Sequence, residues 1–155
     1  MTDDFYDSLA SEARALLEGE SDAIANAANL SALLYQRLPE INWAGFYFLR
    51  DGELVVGPFN GKPACTRITL GQGVCGTAIA TRQTQRVADV HKIDNHIVCD
   101  ADSRSEIVVP LFTETQDLGV LDIDSPLTNR FDAMDQNGLE RIAAIYLDAY
   151  TRRGQ

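Results

Sequence analysis

Lysine is scarce in this chain: Lys62 and Lys92 are the only two, and 13 basic residues face 23 acidic ones for a formal net charge of −10. Such a surface repels phosphate backbones over most of its area, which excludes nucleic acid as a partner. No apolar run approaches the roughly 20 residues that span a bilayer, so no membrane partner is expected. The opening residues, M-T-D-D-F-Y-D, lack the basic and apolar regions of a signal peptide, and the cytoplasm is the expected compartment. Cysteine is sparse too. Three of them, Cys65, Cys75 and Cys99, are an odd number that does not read as a disulfide framework in a reducing compartment. They are buried small hydrophobes or they carry chemistry. The chain also lacks G-x-G-x-x-G, a P-loop lysine, internal repeats, linkers and low-complexity segments, and only H-I-V-C, ending at Cys99, resembles a close pair of metal ligands.

What is present fits one domain of 155 residues, expected without an appended output domain and large enough to build a core without disulfide staples. Residues 1–40 read as two amphipathic helices. Phe5, Leu9, Leu16 and Leu17 mark the first, which stops at Gly19; Ile24, Ala27, Ala28, Leu34 and Leu38 mark the second, capped by Ser21 and ended by Pro39. Residues 41–131 hold the strands and a long polar loop. From Asn42 the period becomes two, with Trp43, Gly45, Tyr47 and Leu49 on one face and Ala44, Phe46 and Phe48 on the other. Asp51-Gly52 supplies a tight turn into a second strand, and Gly45 leaves a gap between aromatic residues that could be half of an apolar pocket. A short strand from Cys65 and the turn G-Q-G lead into a short helix with Cys75 near its N-terminus, where dipole and unpaired N–H groups favour a thiolate.

After a further strand, T-Q-R-V-A-D, comes the segment from Asp89 to Glu106, too polar for a regular element and long enough to have a task. E-I-V-V-P-L-F and D-L-G-V-L-D-I-D-S then form a hairpin through T-E-T-Q, with Asp122 and Asp124 on one face. If the register sets Glu106 opposite Asp124, three carboxylates line one cavity; a slip of one residue would turn Glu106 away. Residues 132–150 form a last helix, with Asp132 and Asp135 as an acidic capping box and Leu139, Ile142, Tyr146 and Ala149 inward. The order predicts an α+β domain: an antiparallel sheet with the terminal helices on one face and the short helix and long loop on the other.

The thiols admit several chemistries. A zinc site of Cys65, Cys75, Cys99 and either His91 or His96 is disfavoured by spacing. A Cys99–His96 acyl-transfer pair has no identifiable third group. A redox cycle, in which one thiolate becomes a sulfenic acid and a second cysteine condenses with it, uses more than one cysteine and explains their places in loops and at element ends. A carboxyl cluster suits it, either as proton donor to a departing oxygen or as holder of an ammonium group.

W-A-G-F-Y, G-P-F-N-G-K-P-A-C, G-Q-G-V-C-G-T-A, H-I-V-C-D-A-D-S-R-S-E-I-V-V-P and L-G-V-L-D-I-D-S together resemble the free methionine-(R)-sulfoxide reductases, single domains of GAF type. The resemblance implies a GAF-like fold and reduction of the free amino acid, with thioredoxin as reductant and no metal or other cofactor. By position, Cys99 matches the nucleophile, Cys65 the main resolving cysteine and Cys75 a second one. Glu106, Asp122 and Asp124 match the acidic residues that handle the sulfoxide oxygen and the ammonium; Trp43 and Tyr47 match the aromatic wall around the S-methyl end. Assembly as a homodimer is compatible with it. The competing expectation is a sensory GAF module that binds a small molecule without catalysis, because fold alone does not decide function.

Overall fold

Two helices open the chain in the computed structural model, which describes residues 2–93 and 101–152. Helix α1 (Asp3–Leu17) starts at Thr2, whose hydroxyl accepts from the Phe5 amide, and is followed by Gly19 in left-handed backbone. Its inward face is Tyr6, Leu9, Ala10, Ala13 and Leu17, whereas Leu16 is exposed. Helix α2 (Ala23–Arg37) is capped by Asp22 rather than Ser21: the Asp22 carboxylate accepts from the Ala25 amide at 2.8 Å. Its buried stripe is Asn26, Ala27, Leu30, Ser31 and Leu34, so Ile24 and Ala28 face outward, contrary to the expected face. Leu38 is extended, as the residue before Pro39 should be.

The hairpin follows as β1 (Trp43–Arg50) and β2 (Glu53–Gly61), with Asp51 and Gly52 both at positive φ. Next come β3 (Arg67–Thr69), α3 (Gly73–Thr81), β4 (Gln85–Val87), a single 3₁₀ turn at Val90–Lys92, β5 (Ser105–Phe112), β6 (Asp117–Ser125) and α4 (Ala133–Thr151). Together the strands make a six-stranded antiparallel sheet in the order β3-β2-β1-β6-β5-β4. Pro110 lies within β5 beyond the last β4 pairing, Gln85 with Val108, so its missing N–H breaks no ladder bond on that side.

Alternation along β1 separates two cores. Ala44, Phe46 and Phe48 join Ile107, Val109, Leu121 and Ile123 under α1, α2 and α4. Trp43 and Tyr47 join Val108 and Val120 on the opposite face, where α3 contributes Val74, Cys75, Ala78 and Ile79. The α4 start is the expected capping box: the Asp132 carboxylate accepts from the Asp135 amide and the Asp135 carboxylate from the Asp132 amide, each at 2.9 Å. Among the described residues no helix is long and apolar enough to cross a membrane.

Candidate active site

Strand β6 runs between β1 and β5, and its register builds the site. Asp124 is opposite Trp43 on one side and Glu106 on the other; Asp122 is opposite Gly45 and Val108. Period two then places Asp122, Asp124 and Glu106 on the α3 side of the sheet with Trp43 and Tyr47, and all five line one pocket. The three carboxylates are between 5% and 9% exposed, far too buried for a solvated strand face.

Burial first, and then the charge of Asp122, push Glu106 well above the usual carboxylate range, although hydrogen bonds from Asp124 and Cys75 oppose the rise. Asp122 is likewise pushed up, by burial and then by Asp124. A cluster in this state holds protons where separate carboxylates would not. One atom is left over: Oδ1 of Asp122 is buried and meets no hydrogen-bond partner.

Cys75 corrects the expectation of an activated thiolate. It does sit in the first turn of α3, but its thiol points at Glu106, with Sγ 3.9 Å from Oε2, and burial among carboxylates drives its pKa well up. Desolvation and like charge outweigh the helix dipole here. Cys65 is disulfide-bonded and lies just beyond the pocket wall formed by its neighbours Pro63 and Ala64. Cys99 and His96 lie outside the described residues. His91 belongs to the 3₁₀ turn and is not on the pocket.

The aromatic wall is a stack. Trp43 lies 5.8 Å from Tyr47 and 5.1 Å from Phe59, centroid to centroid, with planes 26° and 16° apart. Gly45 is therefore not an open gap: a Cβ there would come within 2.3 Å of Phe59 Cβ, so glycine admits the close approach of β2. The wall also fixes the segment before Cys65, because Trp43 Nε1 donates to the Lys62 carbonyl and the Tyr47 hydroxyl to the Cys65 carbonyl, both at 3.1 Å. Burial, led by desolvation and then the Asp122 charge, keeps the Tyr47 phenol firmly protonated.

Among the pocket residues not anticipated as part of the site, beside Pro63, Ala64, Ile68 and Ser103, are Gln72, Gly73 and Val74, which begin α3 on the pocket wall. Gln72 makes no side-chain cap, and the first intrahelical bond is donated by Gly76, which leaves the start of the helix to face the pocket. The signal available was the G-Q-G turn ahead of a helix.

A family model described as GAF domain matches residues 25–149. The free methionine-R-sulfoxide reductase of Escherichia coli is 55% identical over 91% of this chain and 86% of its own length. The structure of the Staphylococcus aureus fRMsr in complex with substrate superposes with a TM-score of 0.90 at 51% identity, covering 94% of this chain and 95% of that one. The free methionine-R-sulfoxide reductase from Neisseria meningitidis, in complex with its substrate, gives a TM-score of 0.93 at 38% identity, covering 100% and 96%. With the sheet, the pocket and these likenesses in agreement, the chain belongs to the free methionine-(R)-sulfoxide reductase family of GAF-domain type.

Proposed function

We propose that this protein reduces free L-methionine (R)-S-oxide to L-methionine. One observation carries the reading: three buried carboxylates, one with an orphaned oxygen, share a small pocket with a tryptophan–tyrosine wall. The wall suits a thioether end, and the carboxylates suit an ammonium. A methionine sulfoxide inside a peptide has no free ammonium and would leave those carboxylates buried and unanswered, which rejects it. The substrate carboxylate has the uncapped start of α3 to meet.

Cys99 acts as nucleophile. Its thiolate attacks the sulfoxide sulfur, a protonated carboxyl of the Glu106–Asp122–Asp124 cluster gives a proton to the oxygen, and methionine departs to leave a sulfenic acid on Cys99. Cys65 condenses with that sulfenic acid, releasing water and forming a disulfide, with Cys75 as a second resolving thiol. Thioredoxin reduces the disulfide in the cytoplasm. Each turnover thus converts one sulfoxide and two thiols into one thioether, one disulfide and one water.

The test is epimer-resolved consumption of free methionine sulfoxide with dithiothreitol as reductant, run beside Cys99→Ser. Loss of the R epimer alone, abolished in the variant, is the expected result. An untouched R epimer, or full turnover by the variant, would sink the reading and return the protein to the sensory class.

A further inference from the structure

The pocket floor brings three residues of the proposed reaction together in an arrangement that also suits a cation. Cys75 Sγ, a Glu106 oxygen and an Asp122 oxygen all lie within 4.8 Å of one another. Three observations separate this set from an ordinary acidic patch. Its members are at most 7% exposed; Asp122, which lines the pocket, has its Oδ1 buried without a hydrogen-bond partner; and no lysine or arginine is among the residues described as lining the pocket.

We propose that Cys75, Glu106 and Asp122 form a site for one Zn²⁺ ion, which on binding shuts the substrate pocket. The thiol decides the class of cation. An ammonium group answers carboxylates and gains nothing from sulfur, and Mg²⁺ or Ca²⁺ takes oxygen ligands alone. Zn²⁺ accepts one sulfur beside two carboxylate oxygens. In a tetrahedral zinc site, with Zn–S about 2.3 Å and Zn–O about 2.0–2.2 Å, ligand atoms stand about 3.3–3.8 Å apart. Cys75 Sγ and Glu106 Oε2 already stand 3.9 Å apart, so the pair needs almost no movement.

Binding makes an S–Zn bond and releases the thiol proton to solvent, together with any proton that the two carboxyls held; no electrons move. The fourth position faces the pocket, where a water completes the shell. Zinc and the substrate ammonium would claim the same oxygens, so zinc acts as a reversible competitor. The site is built from described side chains, and its test needs no turnover, so it stands or falls apart from the reductase reading.

The experiment titrates the reduced protein with Co²⁺ and then displaces it with Zn²⁺ in the presence of a chromophoric chelator. One Co²⁺ per chain, with a sulfur-to-cobalt charge-transfer band and four-coordinate visible bands, is expected. Cys75→Ser should abolish the charge-transfer band. Each of Cys75→Ser, Glu106→Gln and Asp122→Asn should weaken Zn²⁺ at least about 100-fold, since loss of an outer-shell partner alone costs about 10–100-fold. The double variant Cys65→Ser/Cys99→Ser should keep both the band and the affinity. Circular dichroism checks folding; should Cys75→Ser not fold, the two carboxylate variants and the double variant decide the matter. Absence of a one-to-one complex would overturn the proposal, as would a band that vanishes only in the double variant.

Discussion

Glu106 of β5 and Asp124 of β6 are register partners on the buried, pocket-facing side of the sheet. Paired carboxylates at that depth cannot both be bare anions at low cost, because each raises the free energy of the other's charge. A shared proton or a bound cationic group relieves that cost, and both are ingredients of the proposed reaction.

Glu106→Gln and Asp124→Asn should therefore cut turnover by about 100-fold or more, the range expected when a proton donor or a charged contact to the reacting group is removed. Stability should be unchanged or higher, because a buried like-charge contact goes with the carboxylate. Steady-state kinetics beside thermal denaturation check this. Parallel losses of activity and folding would make the pair a structural feature.

The disulfide proposed between Cys99 and Cys65 predicts a thiol count. Stoichiometric sulfoxide, given without reductant, should remove two thiols per chain, and peptide mapping should join Cys99 to Cys65. Cys75 is buried at the pocket floor with its thiol held on Glu106, and it should enter only when Cys65 is replaced. A persistent sulfenic acid with no disulfide would refute this recycling.

Gly45→Ala tests the stacked wall. The added Cβ has 2.3 Å to Phe59 Cβ and 2.7 Å to Phe59 Cα, both on a paired strand, so neither neighbour can swing aside. Overpacking of this kind costs about 1–3 kcal/mol. Urea denaturation should show the midpoint falling at constant slope, by that free energy divided by the slope, and KM for the sulfoxide should rise as Phe59 and Trp43 shift. A midpoint equal to wild type would mean that β2 does not press on Gly45 in solution.

The elements were legible where local chemistry acts alone. Asp51-Gly52 announces its turn, alternation along β1 sorts Phe46 from Tyr47 into separate cores, and Asp132 with Asp135 announces the α4 cap. Alternation in β6 put Asp122 and Asp124 on one face but left the Glu106 register open to a one-residue slip, and it is the pairing of β5 with β6 that sets Glu106 opposite Asp124. What escaped was decided by distant partners. Cys75 looked activated from its helix position, but β5 and β6 bury it among carboxylates. Gly45 looked like a gap, but β2 fills it. Ser21 and Asp22 are both good caps, and propensity alone does not choose between neighbours; the chain uses Asp22.

Asp132 offers a pH-resolved test of the α4 cap. Backbone hydrogen bonding from Asp135 is the largest of the effects that lower its pKa in the folded state. A carboxylate whose folded pKa lies below its unfolded value of about 3.9 contributes stability that is whole above that value and fades as the pH falls through the folded one. Asp132→Ala should cost about 1 kcal/mol at pH 7, the usual worth of such a cap. Asp132→Asn keeps a neutral acceptor in the same place and should cost less. Urea denaturation from pH 7 down to about pH 3 should show the gap between wild type and the Asn variant beginning to narrow once the pH falls below the unfolded value and approaches the folded one. A gap that stays constant over that range would mean that the Asp132 carboxylate gains nothing from its charge at the helix start.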